Sequence, residues 1–358
     1  MRQTTILLLL LGHAVMCSCA LGASLSAAPM APRDITVGAH SAAPGERLSV
    51  RLAVGAPGAE TQVPITVING VRPGPVLALV AGVHGYEYPP ILALQQLRAQ
   101  LDPQALAGAV ILVHVANPPS FLGRTIYTSP VDGVNLNRAF PGDPQGTLSA
   151  RIAHLLTTEV IEQADAVIDL HAGDGNEALR PYVYMPRTGD AAFDARAKGL
   201  ALAFGLDTIV IDTAQVTAPD ASQLLDMTAI ARGIPAITTE TGALGRDDAA
   251  DVDLALRGIF GALRHLGMIA GAPPVNDAVV WLEGFEVVLS PATGVFRPAV
   301  REGWSVAAGG LLGTVLDLFG DPVAEVRSPF AGIVNYVIAT PPISTGEPAA
   351  MVSRLAAE

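Results

Sequence analysis

Between residues 76 and 266, short apolar runs alternate with segments of helical spacing, and this alternation narrows the possible folds more than any other feature of the chain. Runs at 76–83, 109–115, 166–170, 208–212 and 235–239 have strand length and are rich in Val, Ile and Leu. Segments 90–101, 149–163, 191–204, 221–232 and 252–266 repeat apolar positions at helical spacing. A strand that is apolar throughout is buried on both faces, as in a parallel sheet covered by helices. The pattern therefore predicts an α/β fold, a mixed, largely parallel sheet flanked by helices. Ser149 is a candidate N-cap for its helix. Upstream, a strand at 47–54 and a second at 62–68 are expected, and Asn69-Gly70 reads as a hairpin turn into 76–83.

Two boundaries frame this core. After Gly271-Ala-Pro-Pro274 the helical spacing stops. Short β-type runs at 279–282, 287–289, 294–297, 312–318 and 332–338 then predict a small all-β domain over 275–358, leaving 29–271 as the main domain. At the other end, Arg2, the apolar stretch 6–11 and small residues from Ser18 to Ala28 read as an export signal over 1–28, cut after Ala20, Ala23 or Ala28. Gly12 and His13 interrupt a stretch too short to span a bilayer, so no stable membrane insertion is expected after cleavage. The protein is expected outside the cytoplasm, periplasmic or secreted, with lipidation at Cys19 as the alternative. Cys17 and Cys19 are the only cysteines, and a chain cut after Ala20 has no thiol. Any metal must then rest on His, Asp and Glu. A net charge of −12 without a basic run excludes nucleic acid as a partner.

The chemistry sits at strand ends. His84 and Glu87 follow the run 76–83 within Gly82-Val-His-Gly-Tyr-Glu87, His171 follows 166–170, and Glu240 follows 235–239. Open α/β sheets place their ligand sites just beyond the carboxyl ends of strands. Two imidazoles and a carboxylate give Zn²⁺ three ligands and leave a position for water, one ion per chain. Hydrolysis then needs a carboxylate to take the water's proton and deliver it to the leaving amine, a role open to Glu240. Between these segments lies Asp132-Gly-Val-Asn-Leu-Asn-Arg-Ala-Phe-Pro-Gly142, where Asn137 and Arg138 offer an amide and a guanidinium fork suited to a carboxylate. A lone His-x-x-Glu is common by chance, and His40, His114, His154 and His265, which lack such partners, read as structural.

Taken together, Gly82-Val-His-Gly-Tyr-Glu87, Asn117-Pro118, Asn135-Leu-Asn-Arg138, Phe140-Pro-Gly142, Asp169-Leu-His171 and Glu240-Thr-Gly242 resemble the succinylglutamate desuccinylase/aspartoacylase family within the zinc carboxypeptidase group. The resemblance spans 63–269. It implies a zinc-carboxypeptidase-like sheet, zinc on His84, Glu87 and His171, Glu240 as the catalytic carboxylate, Asn137 with Arg138 on a substrate carboxylate, and a barrel-sandwich-like β domain at the C-terminus. It also implies an arginine that stabilises the oxyanion, for which Arg124 is the candidate. The implied substrate is a small N-acyl amino acid. A peptidase acting on short peptides or cell-wall fragments would use the same zinc, Glu240 and Arg138, so the motifs leave both open.

Overall fold

The computed structural model describes residues 32–214, 218–276 and 278–356. The expected leader lies outside the described residues. Strands β1 (Ile35–Val37) and β2 (His40–Ala42) form a small ribbon. β3 (Arg47–Ala56) and β4 (Ala59–Asn69) pair as a hairpin from Arg47↔Ile68 to Ala56↔Ala59. β5 (Arg72–Ala81) leads through α1 (Tyr88–Gln100) into β6 (Ala107–Val113), which pairs parallel to β5.

That crossover corrects one expectation. β6 lies between β4 and β5, so Asn69-Gly70 does not turn a hairpin. Asn69 instead donates to the Arg33 and Ala42 carbonyls, at 2.9 and 2.8 Å. Gly70 is required because a Cβ there would lie 2.4 Å from the Leu106 carbonyl oxygen. The turn signal marked a close approach of two backbones.

Two helices follow, α2 (Pro118–Gly123) and α3 (Leu148–Glu159). The cap of α3 is Thr147, whose side chain accepts from the Ala150 amide. Ser149, expected there, is buried and donates its amide and hydroxyl to Asp132, at 2.8 and 2.9 Å. The first residue of the Asp132–Gly142 motif thus anchors its loop to the next helix.

β7 (Ala166–His171) extends the parallel sheet beyond β5. Then come β8 (Glu177–Leu179), β9 (Tyr182–Pro186), α4 (Ala191–Phe204), β10 (Thr208–Asp212), α5 (Leu225–Ile230), β11 (Ala236–Glu240) and α6 (Ala249–His265). β8 and β9 were not anticipated, because Pro181 and Pro186 punctuate a segment of loop-like composition. α5 is shorter than 221–232: a 3-10 turn at Pro219–Ala221 and a left-handed Gln223 precede it.

The strand order is β14 (Ser305–Val306), β17 (Gly332–Ile338), β19 (Pro348–Leu355), β12 (Val280–Leu289), then β10-β9-β11-β7-β5-β6-β4-β3, with β8 beside β17. β5, β6, β7 and β11 run parallel, as do β9, β10 and β12, and the two sets meet antiparallel at β9 and β11. Alternate residues of β5 divide between two cores. Leu77, Leu79 and Ala81 pack with α1, α4 and α6, and Val76, Ala78 and Val80 with α3 and α5. Each fully buried Leu or Ile contributes roughly 1.5–3 kcal/mol.

The C-terminal region is all β, as expected: β12 (Val280–Leu289), β13 (Gly294–Pro298), β14 (Ser305–Val306), β15 (Leu311–Leu316), β16 (Pro322–Arg327), β17 (Gly332–Ile338), β18 (Pro342–Ile343) and β19 (Pro348–Leu355). The runs at 279–282 and 287–289 belong to one strand, β12, which bulges between Glu283 and Glu286. β12 pairs with β10, so the main sheet continues into this region. β13, β15, β16 and β18 form a second sheet, and Phe296, Leu312, Val326 and Val334 fill the space between the two.

Candidate active site

His84 and Glu87 lie in the turn between β5 and α1. Gly85 is essential to that turn, since a Cβ there would sit 2.4 Å from the Ser120 carbonyl oxygen and 2.5 Å from that of Thr125. Pro89 and Pro90 start α1 directly after it, where a missing amide costs nothing. β7 is the parallel neighbour of β5 and ends in His171, so the sheet carries His171 to the same place.

There His84 Nδ1 lies 2.8 Å from Glu87 Oε1, and His171 Nδ1 lies 3.0 Å from Glu87 Oε2. The three residues offer ligand atoms within 4.8 Å of one another. The remaining ring nitrogens are engaged elsewhere: His84 Nε2 with Asn135 Oδ1 at 3.1 Å, and His171 Nε2 with Asp169 Oδ2 at 3.0 Å. Both rings therefore turn Nδ1 toward the shared centre. Asn135 and Asp169 belong to the same sequence motifs as these ligands, and their side chains orient the rings.

Such a set fits a divalent cation. Two imidazole nitrogens aimed at one buried carboxylate need protons or a metal between them. Burial disfavours the imidazolium form of His171, yet Asp169 and Glu87 outweigh it and raise the ring's pKa well above its ordinary value. For Glu87, burial opposes ionisation, but His171 and His84 hold it below the usual carboxylate range. The site is built to hold positive charge.

Glu240 ends β11 directly opposite His171, and the next amide, of Thr241, donates to the His171 carbonyl at 2.9 Å. Its Oε2 is buried without a hydrogen-bond partner. Burial, reinforced by Glu87, Glu177 and Asp169, holds its carboxyl well above the usual range against the pull of His171. A carboxyl so placed can accept a proton and return it.

These residues open onto a cavity of about 550 Å³. Asn137 and Arg138, from a 3-10 turn at Leu136–Arg138, line it. The Asn137 oxygen is occupied by the Leu225 amide at 2.8 Å, which ties the motif to α5, while its amide nitrogen lies 3.4 Å from His171 Nε2. Asn137 thus braces the site with one end. Arg138 is exposed, donates Nη1 to the Asn137 carbonyl, and has no carboxylate partner among the described residues, so the rest of its guanidinium can meet a ligand.

Arg124, the oxyanion candidate, lies apart from these residues. It caps α2 in a left-handed conformation and lines a separate depression with Tyr88, Phe121 and Asp247. Arg124 is not among the residues that line the cavity of His84, His171 and Glu240.

Several cavity residues were missed. Tyr127 stands edge-on to His84 at 6.1 Å, and its hydroxyl lies 2.9 Å from both Asn176 Oδ1 and Glu177 Oε1. Burial raises Glu177 to about 7, with Asp174 and Glu87 adding to the effect. Tyr182 and Tyr184 arrive on β9, Phe285 on β12, and Tyr336 and Met351 on β17 and β19, closing the cavity from the C-terminal region. For the four aromatic residues the sequence signal was ring content in strands assigned elsewhere or not at all; Met351 had none.

Residues 73–266 match the model of the succinylglutamate desuccinylase/aspartoacylase catalytic domain. The chain is 33% identical over 270 residues to the N-alpha-acetyl-L-2,4-diaminobutyric acid deacetylase of Halomonas elongata, covering 74% of this chain and 77% of that protein. Among solved structures it resembles a succinylglutamate desuccinylase/aspartoacylase of Rhodobacter sphaeroides, with a TM-score of 0.76 and 29% identity over 87% of this chain and 96% of the other. It likewise resembles the product-bound ectoine utilization protein EutE of Ruegeria pomeroyi, with a TM-score of 0.77 and 28% identity over 86% and 95% of the two chains.

Proposed function

Because the chain belongs to the succinylglutamate desuccinylase/aspartoacylase family, we propose that it is a zinc-dependent deacylase that hydrolyses the amide bond of a small N-acyl amino acid. The observation that carries this reading is the convergence of His84, Glu87 and His171 in one cavity with Glu240, whose Oε2 is buried without a hydrogen-bond partner.

His84, Glu87 and His171 would hold the ion, and zinc so bound acidifies water and polarises the scissile carbonyl. The protein's own groups supply the rest. Asp169 and Asn135 hold the two rings in place. Glu240 takes a proton from the attacking water and delivers it to the leaving nitrogen as the C–N bond breaks. Arg138 receives the substrate's carboxylate, and its fork matches the two oxygens. The strands carrying Tyr336, Pro348 and Met351 wall the cavity, which favours a small acyl amino acid over a peptide of several residues.

The test is hydrolysis by the zinc-loaded protein. The panel would include Nα-acetyl-L-2,4-diaminobutyrate, N-succinylglutamate, other N-acetyl amino acids and short peptides. Release of free amino acid from the acyl compounds, abolished by a chelator and restored by zinc, is expected. Turnover confined to peptides would replace the deacylase by a carboxypeptidase.

A further inference from the structure

A second cavity, of about 870 Å³, adjoins the catalytic one, and the two share Tyr127 and Pro348 as lining. Ile126, Pro342 and Ile343 give it apolar surface and Thr340 a hydroxyl. No Lys or Arg is among its described lining residues. Its acidic members, Asp317 and Glu347, accept from amides of their own turns, at 2.8 Å from Phe319 and 2.7 Å from Ser344. A neutral, mainly apolar group fits that lining.

Tyr127 is set across the boundary. Its ring stands against His84, and its hydroxyl meets Glu177, which lines the catalytic cavity, and Asn176, which lines the second. The backbone is held as firmly. The Tyr127 amide donates to Asp174 Oδ2 at 2.8 Å, and Asp174 is fully buried. The Thr128 amide donates to the Ile126 carbonyl at 2.6 Å, closing a three-residue turn around Tyr127, whose φ is 56°. A bulky side chain rarely accepts a left-handed backbone, and a three-residue turn with positive φ is strained. Such strain persists where the surroundings over-determine it, and it clusters where ligands are clamped.

In the deacylase reading the scissile carbonyl reacts beside His84, so the chain attached to that carbonyl runs toward the residue packed on His84, which is Tyr127. We propose that Tyr127 is a specificity-determining partition: its ring confines the catalytic cavity to short acyl groups, and the cavity behind it takes the apolar tail of a longer acyl chain once the ring is removed. This rests on the deacylase reading and names the acyl class within it. The ring forms the wall, and the contacts of its hydroxyl and amide keep the wall from swinging aside.

The experiment uses the zinc-loaded, full-length enzyme and the Nα-acetyl, butanoyl, hexanoyl and octanoyl derivatives of L-glutamate and of L-2,4-diaminobutyrate. The wild type is expected to lose activity steeply along each series. Tyr127→Gly suits the left-handed backbone. It should raise the octanoyl-to-acetyl ratio of kcat/KM at least about tenfold, the worth of two buried methylenes. Tyr127→Phe keeps the ring and should keep the wild-type ratio, whatever it does to the absolute rate. Thr340→Trp, which fills the second cavity, should cancel the gain when added to Tyr127→Gly. In parallel, the N-methanesulfonyl and N-octanesulfonyl derivatives of both amino acids, which resist hydrolysis, are titrated calorimetrically, so that chain-length preference is read without turnover. The proposal is overturned by a wild type that accepts octanoyl as readily as acetyl, or by a ratio unmoved in Tyr127→Gly. An equal rise in Tyr127→Phe, or a gain that survives Thr340→Trp, overturns it as well, while turnover itself upholds the deacylase in each case. A binding preference that shifts in Tyr127→Gly, with no acyl compound hydrolysed, upholds the proposal and overturns the deacylase. Absence of both turnover and binding overturns both.

Discussion

His171 is held between two carboxylates, its Nε2 3.0 Å from Asp169 Oδ2 and its Nδ1 3.0 Å from Glu87 Oε2. Asp169 lies two residues before His171 on β7, so both side chains face the same way and the strand itself sets their contact. With Asp169 against Nε2, the ring presents Nδ1 to Glu87.

Asp169→Asn keeps the shape of that side chain and removes its charge. Zinc affinity, measured by competition with a chelator, should fall about 10- to 100-fold. An unchanged affinity would leave Asp169 a bystander.

Removing a ligand should act more severely. The wild type should hold about one zinc per chain, and His84→Ala or His171→Ala should lose most of it by elemental analysis. Full occupancy in both variants would move the metal site elsewhere.

Glu240→Gln preserves volume and cannot accept a proton. We expect kcat to fall on the order of 10²–10⁴ with zinc content retained. Burial raises the Glu240 carboxyl, and the base form is required, so activity should rise with pH along the acidic limb. Glu240→Gln should abolish that limb. Near-normal turnover in the variant would transfer the base role to another group.

Arg138→Ala should lower kcat/KM strongly for an acyl amino acid with a free α-carboxylate and much less for the corresponding carboxamide. The expected coupling between side chain and carboxylate is roughly 2–5 kcal/mol. Arg124→Ala, whose side chain lines a different depression, should show a coupling near zero. The reverse order would restore Arg124 to the site and remove Arg138 from it.

Export with cleavage is expected from Arg2, the apolar stretch 6–11 and the small residues that follow. Intact mass from a secreting bacterial host should show a start near Leu21, Ser24 or Pro29. A chain beginning at Met1, or a lipid on Cys19, would contradict it.

Much of the site was legible because its residues sit where local sequence already dictates geometry. An apolar run such as 76–83 can be satisfied only as a buried strand, and the polar residues just past it must emerge at the sheet's edge. His84, Glu87, His171 and Glu240 were therefore readable together, as was the loop with Asn137 and Arg138. What the sequence could not carry was the order of strands. Nothing in 62–83 says that β6 will separate β4 from β5, because that choice belongs to a crossover packing on a distant face. Arg124 is near Arg138 in sequence, yet at the end of α2 it lines a separate depression. The cavity's far wall lay furthest out of reach. Tyr184, Asp212, Phe285 and Met351 come from four strands across some 170 residues, brought together because β12 joins the main sheet and β19 pairs with it. Local periodicity determined which segments became strands and which polar groups crowned them, since both depend on near neighbours. The pairing of non-local strands, decided by the packing of the whole, determined what those groups face.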